Sequence, residues 1–123
     1  FPGVLGGVTM EDIQLPWEKG KLVEATSSTN QDYLRSIVHT DAGSSLIGEF
    51  SFGTNDAVNV FTTDILIHEK IGGTVHTALG RPYKECGGTY DSAIHWDIVK
   101  DTRTESQVLL DGKCIFENGK FLI

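Results

Sequence analysis

A histidine and an aspartate stand two residues apart, His95 and Asp97, in the run SAIHWDIV at residues 92–99. Side chains alternate along a strand, so both project from one face of the pleat while Ile94, Trp96 and Ile98 project from the other. A neutral imidazole nitrogen beside a carboxylate oxygen suits zinc, manganese, iron and cobalt alike. Two further ligand types lie upstream: Glu49 within GEFSFGTN (48–55) and His76 within GGTVHTALG (72–80). A carboxylate between Gly48 and Phe50 in an apolar run is costly to bury unless it is paired or bound to a cation. The chemistry such a set would do is that of a divalent metal acting as a Lewis acid. Each residue also has a plainer reading. His95 and Asp97 could be a solvent-facing pair, His76 a core histidine satisfied by a backbone carbonyl, and Glu49 an edge residue facing water.

Other polar residues carry less. Tyr83 follows His76 by seven positions, in a loop that would cover the end of a strand. A phenol there could donate to an oxyanion, or could simply lie on Pro82. His39 falls near the end of a helical pattern, where an imidazolium complements the helix dipole, and is read as structural or solvated. His68 and Glu69 precede the Gly72-Gly73 pair and are read as lining a site rather than binding metal. The glycines around His76 lack the strand-to-helix order and the lysine of a phosphate cradle. Trp17, Phe50, Phe52 and Trp96 read as core or interface.

The elements that must position these groups are mixed. Residues 8–15 and 21–26 read as a two-stranded start around Pro16 and Gly20. Residues 27–30 offer helix N-caps, after which Tyr33, Leu34, Ile37 and Val38 follow at helical spacing up to Gly43. Strands are expected over 46–52, 74–79 and 92–100, with a short helix over 63–71 and a loop over 80–91. Residues 107–110, 113–116 and 120–123 read as a closing meander, because Asp111-Gly112 and Asn118-Gly119 tolerate the positive φ of two-residue hairpin turns. The expected class is α+β, dominated by a largely antiparallel sheet, in a single domain.

With 123 residues, 39% of them hydrophobic, the chain is long enough for one core. A net charge of −7 with scattered acids argues against a nucleic-acid backbone as partner. No apolar run approaches the roughly 18 residues of a membrane span. Cys86 and Cys114 form no CxxC and read as free thiols in a reducing compartment, which points to a cytoplasmic location. The first residue is Phe1, so a processed chain or an excised fragment is expected.

Taken in order, GEFSFGTN, EKIGGTVHTALG, the Gly87-Gly88 loop, SAIHWDIVKD and the DGK turn resemble the aminopeptidase T family of metallopeptidases. The similarity runs from about Gly6 to the end. It implies a dinuclear site with Glu49, His76, His95 and Asp97 as metal ligands and Asp97 as the bridging carboxylate. It makes Tyr83 the catalytic tyrosine and peptides with a free N-terminus the substrates. The ions implied are zinc, cobalt or manganese, which activate water and polarise the scissile carbonyl. A homo-oligomer is implied by the same resemblance.

Family members carry an α/β domain ahead of this region and one more glutamate ligand upstream. None of Glu11, Asp12, Glu18 or Glu24 sits in a matching motif. Residues 1–123 are therefore expected to be the C-terminal, metal-binding domain, holding four ligands of a five-ligand centre. The same scaffold also resembles a ring-cleaving dihydroxypyridine dioxygenase, in which His76, His95 and Asp97 would hold one ferrous ion. A non-catalytic oligomerisation domain is the third reading.

Overall fold

The computed structural model describes residues 1–62 and 64–123. In chain order its elements are β1 (Gly3–Leu5), β2 (Val8–Met10), β3 (Trp17–Glu18), β4 (Lys21–Leu22), α1 (Gln31–Val38), β5 (Ile47–Gly53), α2 (Ile65–His68), β6 (Thr74–Gly80), a 3₁₀ turn (Lys84–Cys86), β7 (His95–Asp101), β8 (Gln107–Leu110), β9 (Lys113–Glu117) and β10 (Lys120–Phe121). The α+β class with mostly antiparallel sheets and short helices is as the sequence predicts. Among the described residues, no helix is long and apolar enough to cross a membrane. Both cysteines are free thiols.

Contacts group the chain into two compact units: Phe1–Phe50 with Thr77–Ile98, and Ser51–His76 with Val99–Ile123. The three-stranded sheet β5-β6-β7 contributes residues to both.

The first unit is built on an apolar cluster of Met10, Ala25, Leu34, Ile37, Val38, Leu79 and Trp96. Helix α1 supplies three of these from one face, as the spacing of 34, 37 and 38 requires. Its start differs from expectation. Asn30 precedes the helix at φ 53° and makes no side-chain cap. Its amide instead donates to the carbonyl of Thr9 at 2.7 Å, tying the helix to β2. The helix also stops at Val38, short of Gly43, because the 3.6-residue apolar pattern ends there and His39 becomes the cap. The expected pairing of 8–15 with 21–26 survives only as an isolated Gln14–Thr26 bridge, while Val8–Met10 pairs with Gly3–Leu5 and Lys21–Leu22 with Trp17–Glu18 in two antiparallel hairpins.

Within the first unit, Gly80 N–H donates to Leu46 O at 3.1 Å, and Arg81 N–H donates to Ile94 O at 2.7 Å. Gly80 has φ +94°, and a Cβ there would lie 2.2 Å from the Ile94 carbonyl oxygen. Only glycine lets the end of β6 approach the entry to β7 this closely.

The second unit closes with the meander β8-β9-β10. Asp111-Gly112 and Asn118-Gly119 all have positive φ, as two-residue turns of the predicted type demand. Phe52, Phe116 and Phe121 form a three-ring cluster with centroids 4.9–5.0 Å apart. Thr102 Oγ1 donates to Gly73 O at 2.8 Å, and Gly73 N–H to Gly53 O at 3.1 Å. Arg103 pairs with Asp101 and donates to Asn59 O, holding the Asp101 carboxyl below its usual range. The short helix expected over 63–71 is confined to α2, and Thr63 lies outside the described residues.

Candidate metal centre

Strand alternation brings His95 and Asp97 together as expected: His95 Nε2 lies 3.4 Å from Asp97 Oδ2. Between them Trp96 points the other way, into the apolar cluster, and is 1% exposed. The strand is thus pinned on one face by the core and left polar on the other. Glu49, from β5, brings its Oε2 to 3.7 Å from the same Nε2. Ligand atoms of Glu49, His95 and Asp97 all lie within 4.8 Å of one another. Their side chains are 20%, 28% and 10% exposed.

A fourth contact decides how the imidazole presents itself. His95 Nδ1 lies 2.7 Å from the carbonyl oxygen of Arg81. A carbonyl only accepts, so Nδ1 carries the proton and donates. Nε2 is then the nitrogen turned toward two carboxylates. With a bare lone pair it would face negative charge, so the arrangement calls for a cation: either a second ring proton or a metal ion.

The distances bear on that choice. A charge-assisted N–H···O bond closes to about 2.7–2.9 Å. Two ligands of one tetrahedral zinc, at bond lengths of about 2.0–2.1 Å, sit roughly 3.3 Å apart. The observed 3.4 and 3.7 Å match the second figure better. One imidazole with its lone pair oriented and two carboxylates make a donor set that fits a divalent metal.

The other predicted ligand, His76, is buried on β6 in the second unit. Beside it is Glu69, whose carboxylate oxygen comes within 4.8 Å of a ring nitrogen of His76. Sequence reading assigned Glu69 to lining a site. The structure makes it a ligand-type group, partly buried and ion-paired with Lys70. The available signal was its place seven residues before His76 in EKIGGTVH. His68 is structural: its Nδ1 lies 2.8 Å from Thr62 O, and its ring stacks on Phe61 at 4.9 Å and 8°. His39 likewise lies against a backbone carbonyl, that of Arg35, at 2.7 Å.

Tyr83 is exposed, at 55%. Its ring meets the His95 ring edge-on, with centroids 5.5 Å apart. The loop that carries it is held by its own backbone, since Tyr83 O accepts from the N–H groups of both Cys86 and Gly88. Its ring is therefore presented beside His95 from a defined turn rather than from a long free loop.

Two residues outside every sequence motif also shape this site. Arg81 supplies the carbonyl that orients His95, and its Nε donates to Asp91 Oδ1 at 3.0 Å and Ser92 O at 3.1 Å. Asp41, just past α1, accepts from Gly43 N, Ser44 N, Ser44 Oγ, Ser92 Oγ and Ala93 N at 2.7–3.1 Å. The Ala93 N–H contributes most to lowering the Asp41 carboxyl from 3.8 to about 2, against a smaller opposing effect of burial. A carboxyl whose pKa is depressed by folding stabilises the fold fully above its ordinary pKa, and that contribution is lost as pH falls from about 4 to about 2. The thermal midpoints of the wild type and Asp41→Asn should therefore differ by a constant amount at pH 5–7. Below about pH 4 they should converge, with most of the gap closed by about pH 2 and the remainder lost below it. A gap that persisted undiminished at pH 2 would contradict the assignment.

The family model described as thermophilic metalloprotease (M29) matches residues 1–121. Aminopeptidase AmpS of Bacillus subtilis (strain 168) is 28% identical over 138 aligned positions, covering 94% of this chain and 33% of the relative. The solved structure of wild-type AmpT from Thermus thermophilus matches with a TM-score of 0.76 at 22% identity, covering 100% of this chain and 35% of that one. At that identity the likeness is one of fold. The chain spans about a third of the length of each of these relatives.

Proposed function

Since the chain belongs to the thermophilic metalloprotease (M29) family, we propose that it supplies the metal-holding part of an aminopeptidase that removes N-terminal residues from peptides. The observation that carries this reading is the His95 Nε2, oriented by Arg81 O and facing Glu49 and Asp97 at ligand-to-ligand separations. Glu49, His95 and Asp97 would hold one divalent ion, and Glu69 with His76 offer ligands to a second. Bound there, such ions supply a Lewis acid for the peptide carbonyl and lower the pKa of water toward neutrality. Zinc, cobalt and manganese suit a set of imidazole and carboxylate ligands.

The chain's own residues do the rest. Arg81 O keeps the proton of His95 on Nδ1, so that Nε2 stays a donor of its lone pair. Tyr83, exposed beside His95, can donate its phenolic proton in a hydrogen bond to the oxyanion that forms as the carbonyl becomes tetrahedral.

Elemental analysis of chain purified without chelator, followed by titration with zinc, cobalt, manganese and ferrous iron, tests the reading. Two equivalents of zinc, cobalt or manganese are expected. A single tight ferrous equivalent, with no affinity for the other metals, would move the assignment to the dioxygenase alternative. No binding above background would sink both.

A further inference from the structure

Resting on the metal-centre reading, the geometry points to Asp41 as a positioning residue that sets the register and ring orientation of His95 by clamping the entry to β7. Asp41 touches neither ligand nor metal position, and no sequence motif marks it. What it does is join two segments 51 and 52 residues apart in sequence.

The two carboxylate oxygens divide the labour. Oδ1 closes the turn after α1, accepting from Gly43 N and Ser44 N at 2.9 Å and from Ser44 Oγ at 2.9 Å. Oδ2 reaches the strand entry, accepting from Ala93 N at 2.7 Å and Ser92 Oγ at 3.1 Å, while Ser92 Oγ also meets Oδ1 at 2.9 Å. The approach is backbone to backbone: a Cβ on Gly43 would lie 2.3 Å from Asp91 O. Helix α1 is anchored by Leu34, Ile37 and Val38 in the apolar cluster, so the clamp stands on fixed ground.

Across the segment 91–94 from Asp41 stands Arg81. Its N–H donates to Ile94 O, its guanidinium to Asp91 and Ser92, and its carbonyl accepts from His95 Nδ1. Residues 92–94 are thus gripped by Asp41 and Arg81 together. Releasing one grip lets the entry shift relative to Arg81 O, and a His95 ring that loses that acceptor has no reason to keep its proton on Nδ1. The consequence is local: a mixed tautomer and a weaker metal ligand, in a chain that is still folded.

The test compares the wild type with Asp41→Asn. An asparagine whose amide oxygen takes the place of Oδ1 keeps the turn after α1 closed but puts an NH₂ group opposite the Ala93 N–H. Ser92→Ala is a second, milder variant that removes the hydroxyl from the clamp and leaves Asp41 in its turn. Met10→Ala, in the apolar cluster, serves as an equally folded control that loses stability without touching the clamp. Two readouts are needed: ¹⁵N shifts of the His95 ring in metal-free protein at a pH high enough to keep the ring neutral, and cobalt affinity with the visible Co(II) spectrum. Asp41→Asn should lose about 10–100-fold in cobalt affinity, the range seen when a group orienting a metal-binding histidine is removed. Its ring nitrogens should move from a single Nδ1–H pattern toward a mixture, with Ser92→Ala following part of the way and Met10→Ala unchanged. Wild-type affinity and a wild-type tautomer in Asp41→Asn would overturn the inference. So would equal losses in Met10→Ala. If the wild type itself binds no metal, the proposed function fails, and the ring-nitrogen measurement still decides the role of Asp41.

Discussion

Replacing His95 and Asp97 together by alanine is expected to abolish tight metal binding while leaving the chain folded. Removing a group that merely orients a ligand costs about 10–100-fold in affinity, so removing two ligands should exceed that. Neither side chain belongs to the apolar core. His95 gives up one hydrogen bond to Arg81 O, worth about 1 kcal/mol. Asp97 hangs from the face of β7 opposite Trp96, so its truncation leaves the packing of the indole in place. The metal-free thermal midpoint should therefore stay within a few degrees of the wild type. A saturating metal separates the two proteins. At a hundred times Kd a ligand stabilises the folded state by about 2.7 kcal/mol, which for a domain of this size is roughly a 10 °C rise in midpoint. Wild-type protein should show that rise with zinc or cobalt and the double variant should not. Equal metal-induced shifts would remove Glu49, His95 and Asp97 from the proposed centre.

The largest loss of stability is expected at the residue between those two ligands. Trp96 is 1% exposed within the cluster of Met10, Leu34, Ile37, Val38 and Leu79. Its Nε1–H donates to Val4 O at 3.1 Å. Room for the ring is made by Gly3, where a Cβ would lie 2.7 Å from Trp96 Cζ2. Trp96→Ala removes the bulkiest fully buried side chain of the described residues, at a cost of about 3–5 kcal/mol. A domain's whole stability is about 5–15 kcal/mol, so this is a large share. Trp96→Phe keeps most of the volume and loses mainly the bond to Val4. Urea unfolding should place the alanine variant at least 3 kcal/mol below wild type, with phenylalanine between them. A loss under 1 kcal/mol for alanine would mean that the cluster is not the core. Because the indole and the two ligands hang from the same three residues of strand, the alanine variant should also bind metal more weakly.

How much of this could be read in advance depended on the range of the physics involved. The shared face of His95 and Asp97 follows from strand alternation, which needs no knowledge of the rest of the chain. The turns at Asp111-Gly112 and Asn118-Gly119 follow from backbone preference at two residues. The burial of Leu34, Ile37, Val38 and Trp96 follows from apolar spacing. The family resemblance, too, lies in ordered local motifs, and the match over residues 1–121 bears it out.

What failed to show locally was set by partners far off in the chain. Asn30 reads as an N-cap, yet its amide is taken by Thr9, twenty-one residues earlier. Glu69 reads as a lining residue until β6 brings His76 beside it. Arg81 has no motif, and its importance lies in a carbonyl oxygen, which every residue possesses. The sequence by itself determined the inward face of α1, the strand that carries His95 and Asp97, the closing meander and the types of ligand available, because those depend on side-chain period and local backbone preference. Only the tertiary structure decided which nitrogen of His95 faces the two carboxylates and which distant aspartate holds its strand in place. Both are hydrogen bonds between segments that meet only once the chain has folded.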